Sequence, residues 1–436
     1  MRAVTLPWKF EPRPYQIPLF DAFQNRGLKR LITVWHRRAG KDKSYVNLLA
    51  LAALQRVGTY YYFFPTYAQG KKIFWDGMDG SGFRFLDHFP KSLRAGDPNN
   101  TEMKIKLCNG SLVQVVGADN IDSIVGTNPV GCVFSEFALQ DPKGWDFISP
   151  ILLENGGWAA FNFTPRGKNH AWKLYQMSKN NPAWFSQLLT VEQTGVLTPE
   201  QIQEERDAGK SEEFIQQEYY CSFESGMQGS YYGRELDKAD EQGRIGAVPY
   251  DPRLLVETWW DLGIGDSTAI WFTQTHLNQV RVFDYLEDEG EGLPFYAREL
   301  NRKGYQYAAH YAPHDIEVRE LGSGRSRLET ARELGIHFNV LPKLRIEDGI
   351  DAARAIFNRC WFDAVKCARG LEALVQYHKE FDDKRDEYKN RPYHDWSSHA
   401  ADAFRYLAIG HRDAILPQSR DRYARRSAGY TSWKTA

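Results

Sequence analysis

The chain has 436 residues, of which 42% are hydrophobic and 25% charged, and its formal net charge is −1. This length predicts two domains, and the composition excludes a disordered or fibrous chain and a chain that is basic throughout. The sequence shows no apolar run of the roughly 20 residues that span a bilayer and no signal peptide, and its five cysteines are scattered; we therefore expect an intracellular, reduced protein.

Residues 1–225 alternate short apolar runs with helical patterns, which predicts an α/β domain. Its predicted strands are 31–35, 59–64, 104–108, 112–117, 130–135 and 158–163, and its predicted helices are 43–55 and 199–219. A segment rich in Gly and polar residues, 226–250, is predicted to be a linker. A second domain is predicted over 251–412, followed by a basic, flexible tail over 413–436.

The first candidate binding residues precede the first predicted strand, in "EPRPYQ". Arg13 contributes a cation, Tyr15 an aromatic face, and Gln16 an amide that can both donate and accept hydrogen bonds. This combination suits recognition of an adenine base.

A phosphate-binding loop is predicted within "LITVWHRRAGKD", where a strand leads through a basic loop into a helix. The N–H groups of Ala39 and Gly40 would bind phosphate oxygens, and Lys41 would reach the β- and γ-phosphates. Compared with G-x-x-x-x-G-K-[ST], Trp35 replaces the first Gly and Asp42 replaces the Ser or Thr. Taken alone, the pattern also fits a basic strand-to-helix turn.

Two later strands support the nucleotide interpretation. The apolar strand in "VGCVFSEF" ends at Ser135 and Glu136, and a carboxylate at such a position can orient water for attack on the γ-phosphate. The strand in "AAFNFTPRG" ends at Thr164, a polar residue suited to sensing that phosphate. A surface acid is the alternative interpretation of Glu136, but the order of these elements is the one that an ATPase needs.

The residue types around the expected Mg²⁺ site are exchanged relative to the usual P-loop pattern. A hydroxyl of the loop and an Asp of the strand usually hold this ion. Here the acid is in the loop, at Asp42, and the hydroxyl is on the strand, at Ser135. Our hypothesis is that these two side chains hold Mg²⁺ together, because a hard cation accepts oxygen ligands from either side.

The second predicted domain opens with a strand, "VETWWD", that ends at Asp261. Further strands are predicted at 280–285, 307–311 and 337–340, and helices at 347–359, 368–378 and 396–410. Asp315 follows one of these strands, and Asp402 lies in the last helix. Carboxylates from three separate elements can hold the two divalent ions that phosphodiester hydrolysis uses.

The last predicted helix carries Asp395, His399 and Asp402 at i, i+4 and i+7, so they share one face. A helix cap, a surface histidine and a salt-bridged acid are the structural alternatives. Asp266, Asp284 and Asp395 are reserve candidates for the metal-binding acids. A zinc site of His394 and His399 is disfavoured, since no cysteine lies nearby.

As an ordered set, these motifs resemble the large terminase subunit of tailed bacteriophages, from about residue 10 to 410. The set comprises P-Y-Q, H-R-R-A-G-K, an apolar strand ending in S-E, T-P-R-G and "SSHAADAFRY". The resemblance implies a P-loop, RecA/ASCE-like ATPase domain followed by an RNase H-like nuclease domain. It also implies residue roles: phosphate binding by Lys41, catalysis by Glu136, coupling by Thr164, an arginine finger at Arg37 or Arg38, and Mg²⁺ or Mn²⁺ binding by Asp261, Asp315 and Asp402.

The function implied by this resemblance is ATP-driven packaging of double-stranded DNA into a prohead, with cleavage of concatemeric DNA. The implied partners are the DNA, the portal protein, a small terminase subunit and further copies in a pentameric ring, with no membrane. The implied location is the host cytoplasm, at the portal vertex. Two alternatives stay open: a helicase-like ATPase–nuclease of DNA repair or recombination, and an inactive RNase H-like scaffold.

Overall fold

The computed structural model describes residues 5–124, 126–224, 229–263, 267–318, 325–382 and 387–415. The chain divides into two compact units, Met1–Gln228 and Gly229–Ala436. Within the described ranges, no helix is both long and apolar enough to cross a membrane. The predicted basic tail lies outside the described residues from 416 onward.

The first unit is an α/β domain built on one seven-stranded sheet. Its strands are β1 (Arg30–Trp35), β2 (Thr59–Phe64), β3 (Lys104–Lys106), β4 (Leu112–Gly117), β5 (Pro129–Ser135), β6 (Trp158–Phe163) and β7 (Trp184–Leu189). Its helices are α1 (Ile17–Gln24), α2 (Lys41–Gln55), α3 (Tyr67–Gly70), α4 (Lys143–Glu154), α5 (His170–Lys179), α6 (Val191–Thr194), α7 (Pro199–Asp207) and α8 (Glu212–Glu218). A π-helical turn, Lys71–Trp75, and short 3₁₀ helices at Phe85–His88, Lys91–Leu93, Ala118–Ile124 and Phe137–Leu139 complete it.

The strand order of this sheet is β3-β4-β2-β5-β6-β1-β7, and every neighbouring pair except β3–β4 is parallel. The strand before the phosphate loop, β1, lies between β6 and β7. One strand, β6, separates β1 from β5, the strand that ends at Ser135. This order is the one found in RecA/ASCE-like ATPases and confirms the predicted fold class of the first domain.

Both faces of the sheet are covered, which explains the uninterrupted apolar runs in the sequence. Along β1, Leu31 and Trp35 pack on one side with the apolar residues of α2. Ile32 and Val34 pack on the other side, in a second apolar cluster. All four are fully buried, so β1 carries the loop that follows it on a rigid base.

The second unit is also built on a seven-stranded sheet. Its strands are β8 (Ile245–Gly246), β9 (Val256–Leu262), β10 (Ser267–His276), β11 (Gln279–Glu289), β12 (Tyr307–Ala312), β13 (Phe338–Val340) and β14 (Cys360–Asp363), with a separate hairpin of β15 (Lys379–Asp382) and β16 (Glu387–Pro392). Its helices are α9 (Gly233–Glu241), α10 (Leu293–Lys303), α11 (Arg327–Glu333), α12 (Ile346–Ile356), α13 (Ala368–Gln376) and α14 (Ser398–Ile415), with 3₁₀ helices at His314–Glu317 and Phe357–Arg359.

The strand order here is β13-β12-β9-β10-β11-β14-β8. Strands β9, β10 and β11 form an antiparallel meander, whereas β12 runs parallel to β9 and β13 runs parallel to β12. This is the RNase H-like arrangement, so the fold class predicted for the second domain is confirmed. Helix α14 crosses the sheet closely: a Cβ atom added to Gly410 would lie 2.2 Å from the Trp259 ring of β9.

Two element predictions need correction. The helix predicted over 199–219 is two helices, α7 and α8, because Gly209 takes a left-handed conformation at φ +91° between them. The last helix begins at Ser398 rather than 396, so Asp395 precedes the helix instead of lying on its face.

The predicted linker, 226–250, also differs from the structure in the residues that are described. The second unit begins at Gly229, and α9 lies inside the predicted linker. Tyr232 and Leu236 are buried in the apolar core of the second unit. The glycines of this segment predicted a linker, but apolar residues of the segment are buried, so 229–250 is part of the folded unit.

Candidate functional sites

The loop after β1 turns sharply into α2 at Gly40, whose φ of +80° is easily reached only by glycine. The carbonyl of Ala39 accepts hydrogen bonds from Tyr15 Oη at 3.0 Å and from Gln16 Nε2 at 2.9 Å. A Cβ atom at Gly40 would lie 3.0 Å from Gln16 Nε2. The "PYQ" segment therefore holds the loop in place through these two hydrogen bonds to the Ala39 carbonyl.

This support changes what Gln16 can do. Its side chain is buried, and its Oε1 accepts a hydrogen bond from the backbone N–H of Arg13 at 3.0 Å. The amide that we predicted to read an adenine edge is thus bonded to backbone groups at both ends. Arg13 is exposed and donates to Tyr15 Oη at 2.8 Å, so these two side chains remain the candidates for contact with a base.

Lys41, the first residue of α2, joins the three nucleotide motifs at one point. Its Nζ donates to Thr164 Oγ1 at 2.6 Å and to the carbonyl of Trp35 at 3.1 Å, and it lies 3.3 Å from Glu136 Oε1. Glu136 Oε2 in turn accepts from the N–H of Thr164 at 3.3 Å. The ends of β5 and β6 and the start of α2 therefore bring a cation, a carboxylate and a hydroxyl together.

The backbone of Glu136 is strained. Its φ and ψ are 52° and 46°, in the left-handed region that non-glycine residues rarely adopt. Such conformations persist where the surrounding structure holds them in place, and they cluster at functional sites. Here the turn ends β5 and directs the carboxylate towards Lys41.

Asp42 and Ser135 face each other across the same site. Ser135 Oγ donates to Asp42 Oδ1 at 2.6 Å, and Tyr62 Oη donates to the same oxygen at 2.9 Å. Burial raises the pKa of Asp42, the charge of Glu136 adds to this, and the two hydrogen bonds oppose it. Ser44 does not compete for this place, because its Oγ donates back to the Gly40 carbonyl at 3.0 Å.

The two loop arginines differ in their surroundings. Arg37 NH1 lies 3.8 Å from the carboxylate of Glu218, although the Arg37 side chain is 58% exposed. Arg38 is exposed and has a φ of +73°. At the start of the loop, His36 is fully buried, and its ring nitrogens contact the Arg37 carbonyl and Thr194 Oγ1, each at 2.6 Å.

The second site is centred on Asp261, near the end of β9. Its Oδ2 lies 3.0 Å from Nδ1 of His399, the second residue of α14. Burial raises the pKa of Asp261 to about 6; the contact with His399 opposes this rise, and the negative charge of Asp402 adds to it. Asp261 and Asp402 therefore influence one another, as two carboxylates that share a site do.

Asp402 is held by the helix on which it lies. Arg405 NH2 is 2.5 Å from Asp402 Oδ1, and Tyr377 Oη lies 3.4 Å from the same oxygen. The salt bridge that we named as a structural alternative is thus present. The other face of Asp402 is not enclosed, since 30% of its side chain is exposed.

Of the three acids proposed as metal ligands, Asp315 is the one that makes the fewest contacts with the site. It lies in the 3₁₀ helix after β12, and because β12 and β9 are parallel neighbours, Asp315 and Asp261 lie at the same sheet edge. The charges of all three acids act on Tyr406, whose pKa is raised chiefly by burial. However, Asp315 is exposed, and among the described residues no three His, Cys, Asp or Glu side chains lie close enough to hold one metal ion.

The reserve acids have other surroundings. Asp284 is buried with Lys303 Nζ at 2.5 Å and Tyr305 Oη at 2.8 Å. Asp395 caps the turn before α14, where its Oδ1 accepts from the Ser397 N–H at 2.9 Å. Asp266 lies outside the described residues.

Several residues at these sites were not predicted from the sequence, among them Tyr62, Glu218 and Asn162. Tyr62 lies in an aromatic strand whose sequence predicts only a buried core strand, so no local pattern indicates a role for Tyr62 at the site. Glu218 shares a helix face with Ile215, since the two are three residues apart, and this periodicity could have indicated a buried acid. Asn162, near the end of β6, is fully buried, and its Oδ1 lies 3.4 Å from Ser135 Oγ.

Comparison with known proteins agrees with this combination of folds. No family model matches the chain. The chain is 25% identical to the large terminase subunit of Escherichia phage T5 over 412 residues, which cover 91% of this chain and 90% of that protein. The chain is similar to a phage large terminase along most of its length. A match of this extent must include parts of both units, so the relationship does not rest on the ATPase-like fold alone.

Solved structures of large terminases are also similar to the chain. The large terminase of a thermophilic bacteriophage, in complex with ADP, covers 91% of this chain and 98% of its own, at 16% identity and a TM-score of 0.40. The nuclease domain of the bacteriophage SPP1 large terminase with bound Mn covers 36% of this chain and 86% of its own, at 17% identity and a TM-score of 0.29.

Proposed function

We propose that this chain is the motor and nuclease of viral DNA packaging. ATP hydrolysis in the first unit drives double-stranded DNA into a prohead, and the second unit cuts concatemeric DNA. The observation that carries the proposal is the meeting of Lys41 Nζ with Thr164 Oγ1 at 2.6 Å and with Glu136 Oε1 at 3.3 Å. The similarity to the T5 large terminase over nine-tenths of both chains supports the same function.

In the first unit, Lys41 and the N–H groups of the loop bind the β- and γ-phosphates of ATP. Glu136 orients a water molecule for attack on the γ-phosphate, and Arg37 or Arg38 stabilises the charge that develops there. Thr164 bonds both Lys41 and Glu136 in the structure. Loss of the γ-phosphate would therefore change the hydrogen bonds of Thr164. Because Thr164 lies at the end of β6, it can transmit this change to the sheet.

The residues around Asp42 fit a divalent cation. The Asp42 carboxylate and the Ser135 hydroxyl offer hard oxygen ligands 2.6 Å apart. When bound with ATP, Mg²⁺ would neutralise the charge of the β- and γ-phosphates. Asp42 and Ser135 are the residues that would hold it.

In the second unit, the proposed ligands for Mg²⁺ or Mn²⁺ are Asp261, Asp315 and Asp402, which do not converge within the described structure and would have to be drawn together by the ion. The pKa of Asp261 is raised by burial and by the charge of Asp402, and a divalent cation would offset both costs. Such ions generate hydroxide and stabilise the leaving oxygen in phosphodiester hydrolysis. His399 holds the Asp261 carboxylate in position through its Nδ1.

The proposed partners follow from this function. They are double-stranded DNA, the portal protein, a small terminase subunit and other copies of the chain in a ring, which we propose to be a pentamer. The proposed place of action is the portal vertex of the prohead in the infected host cytoplasm. DNA contacts to phosphates should weaken steeply as salt rises.

A packaging assay tests the proposal. Purified proheads of the same virus, linear DNA, the chain and ATP are mixed, and DNA that survives DNase digestion is measured. We expect protected DNA with the wild-type chain and none with Glu136→Gln or without proheads. ATP-dependent strand separation with no protected DNA would instead favour the helicase-like alternative.

A further inference from the structure

A row of three polar residues crosses the first sheet beneath the start of α2. Asn162 of β6 is paired with Ser135 of β5 on one side and with Thr33 of β1 on the other, so the three side chains share one face. All three are fully buried. The residues two positions earlier on these strands belong to the apolar cluster that packs with α2: Leu31, Val133 and Ala160. The face therefore changes from apolar to polar at this row.

The two hydroxyls of the row have close partners on α2. Thr33 Oγ1 lies 2.8 Å from Tyr45 Oη, and Ser135 Oγ donates to Asp42 Oδ1 at 2.6 Å. Each contact joins the carboxyl end of a strand to the first turns of the helix. The polar row is thereby divided between two bonded hydroxyls and the amide that lies between them.

The amide of Asn162 has no such partner. Its Oδ1 is 3.4 Å from Ser135 Oγ, and its Nδ2 makes no hydrogen bond within the described residues. Ser135 has one hydroxyl proton, which it gives to Asp42, so the 3.4 Å contact is not supported by a proton. Turning the amide by 180° would exchange its two ends without giving either a closer partner.

An amide buried in this way destabilises the folded chain, because its bonds to water are lost and are not replaced. Most buried polar groups are hydrogen-bonded, and one that is not calls for an explanation other than stability. Asn162 lies beside the two proposed Mg²⁺ ligands of the first unit. The explanation should therefore be sought in what a cation does to Asp42 and Ser135.

A divalent cation at this site would compete with the Ser135 proton. Asp42 Oδ1 already accepts hydrogen bonds from Ser135 Oγ and, at 2.9 Å, from Tyr62 Oη. A hard cation is bound through oxygen lone pairs, so an Asp42 carboxylate that turns to the cation no longer offers the same oxygen to the Ser135 proton. The proton then needs another acceptor, and Asn162 Oδ1 lies next to it.

We propose that Asn162 is a positioning residue of the metal site, whose Oδ1 accepts the Ser135 hydroxyl proton when Asp42 turns to a divalent cation. The inference rests on the proposed ATPase function. With its proton directed at Asn162, Ser135 would present a lone pair to the cation. Groups that orient metal ligands in this way typically affect metal affinity by about 10- to 100-fold.

The test is Asn162→Leu, which keeps the approximate volume of the side chain and removes both polar atoms. The affinity for ATPγS is measured by competition with a fluorescent nucleotide, first in EDTA and then along a Mg²⁺ titration. We expect the Mg²⁺ concentration for half-maximal tightening to rise by about tenfold or more, with the affinity in EDTA unchanged. The Tm of the metal-free, nucleotide-free chain should not decrease, because an unpaired amide has been removed. A purely structural role would instead lower this Tm and weaken the affinity in EDTA.

The matched control is Asn47→Leu on α2. Asn47 is also fully buried and its Oδ1 also lacks a partner, but its Nδ2 donates to the Lys43 carbonyl at 2.8 Å, inside the helix. This variant should leave the Mg²⁺ dependence of ATPγS binding unchanged. A change as large as that of Asn162→Leu would overturn the proposal, since any buried amide of the domain would then have the same effect.

A double-variant cycle tests the route through Ser135. In the background Ser135→Ala no hydroxyl proton is left for Asn162 to accept, so Asn162→Leu should cause no further change in Mg²⁺ dependence. An undiminished effect in that background would overturn the proposal. Should Asn162→Leu not fold, Asn162→Val, which also lacks polar atoms and suits a strand, carries the same expectations.

Failure of this inference can be told apart from failure of the proposed function. A wild-type chain that binds no ATPγS would refute the proposed function. A wild-type chain that binds ATPγS equally well with and without Mg²⁺ would refute the metal site and, with it, the role of Asn162. A wild-type chain whose binding responds to Mg²⁺, with the same response in Asn162→Leu, would refute the role of Asn162 alone.

Discussion

Ser135 donates a 2.6 Å hydrogen bond to Asp42 across the phosphate-binding loop. In most P-loop proteins the first helix supplies the hydroxyl and the acidic strand supplies the carboxylate for Mg²⁺. In this chain the carboxylate, Asp42, lies on the helix after the loop and the hydroxyl, Ser135, lies on the strand. The departure from the usual loop pattern at Asp42 is thus matched by a second departure at Ser135, which we propose compensates for it.

Exchanging the two residues tests this interpretation. Asp42→Ser and Ser135→Asp should each lower the kcat of ATP hydrolysis by at least about 100-fold, because the first removes the carboxylate and the second sets two carboxylates against each other. The double variant restores one hydroxyl and one carboxylate, and it should recover much of the lost activity. Magnesium dependence of nucleotide binding, followed by fluorescence, supplies a readout independent of turnover.

The control for this exchange is Ser44→Ala. Ser44 lies two residues from Asp42, but its hydroxyl donates to the Gly40 carbonyl inside the helix. Its loss should leave the magnesium dependence unchanged. A double exchange that performs no better than the single variants would show that the two side chains do not share one ion.

Strands buried on both faces could be predicted closely from the sequence. The observed β2, Thr59–Phe64, matches the predicted range, because a parallel strand covered on both sides reads as one apolar run. Edge strand β7, "WFSQLL", has only two buried residues, Phe185 and Leu189, among six, so its apolar signal was too weak to predict. The break in 199–219 was visible as Gly209, but it was outweighed by the helical pattern on either side.

The candidate sites divide in the same way. Lys41 and Glu136 follow from local patterns, a loop before a helix and an acid after an apolar strand. Tyr62 and Glu218 take part through tertiary register alone: Tyr62 reaches Asp42 from the neighbouring strand β2, and Glu218 reaches Arg37 from α8. The role of Asp315 as a metal ligand stays a prediction, because its carboxylate is exposed and makes no bond to Asp261 or Asp402 within the described structure.

Binding and hydrolysis should separate at Lys41 and Glu136. Glu136→Gln keeps the size of the side chain and its bond to the Thr164 N–H, but loses the charge that orients water. We expect ATP affinity within about threefold of the wild type and kcat lower by about 100- to 10,000-fold. Lys41→Ala should instead abolish binding, measured by fluorescent-nucleotide titration beside a phosphate-release assay.

The control for this pair is DNA cleavage. Both variants should digest plasmid DNA in the presence of Mn²⁺ as the wild type does, since Lys41 and Glu136 belong to the first unit alone. Loss of cleavage in both would contradict two separable sites. An active Glu136→Gln ATPase would remove Glu136 from its proposed role.

Acid should destabilise the first unit through His36. Burial lowers the pKa of His36 to about 4, from an ordinary value near 6.5, so His36 is neutral in the folded chain. Between these two pH values the unfolded chain binds a proton that the folded chain does not, and stability therefore falls as pH falls. His36 should contribute a loss of about 2 kcal/mol in the free energy of unfolding between pH 7.5 and pH 5.

Urea unfolding of the wild type and of His36→Gln, at both pH values, measures this contribution. The amide of glutamine can bond the same neighbours but does not titrate, so the variant should lose about 2 kcal/mol less than the wild type on acidification. Equal losses in the two proteins would mean that His36 keeps its proton in the folded chain. His310 and His411 also have a pKa lowered to about 4 by burial, and they lie in the second unit, unchanged by this substitution.

Removing the charge of Asp261 should abolish DNA cleavage. Asp261→Asn keeps the side-chain shape but removes a carboxylate that we propose binds divalent ions, so cleavage of plasmid DNA with Mn²⁺ should fall by at least about 1,000-fold. Because burial and Asp402 raise the pKa of Asp261, the neutral amide should also remove the cost of burying a charge, and the Tm of the metal-free protein should not decrease.

The control is Asp351→Asn, which alters a 75% exposed acid on α12 and should cleave normally. If Asp261→Asn still cleaves DNA, the nuclease site must lie at other residues. If the variant loses ATPase activity together with cleavage, the cause is misfolding, which a lowered Tm would reveal.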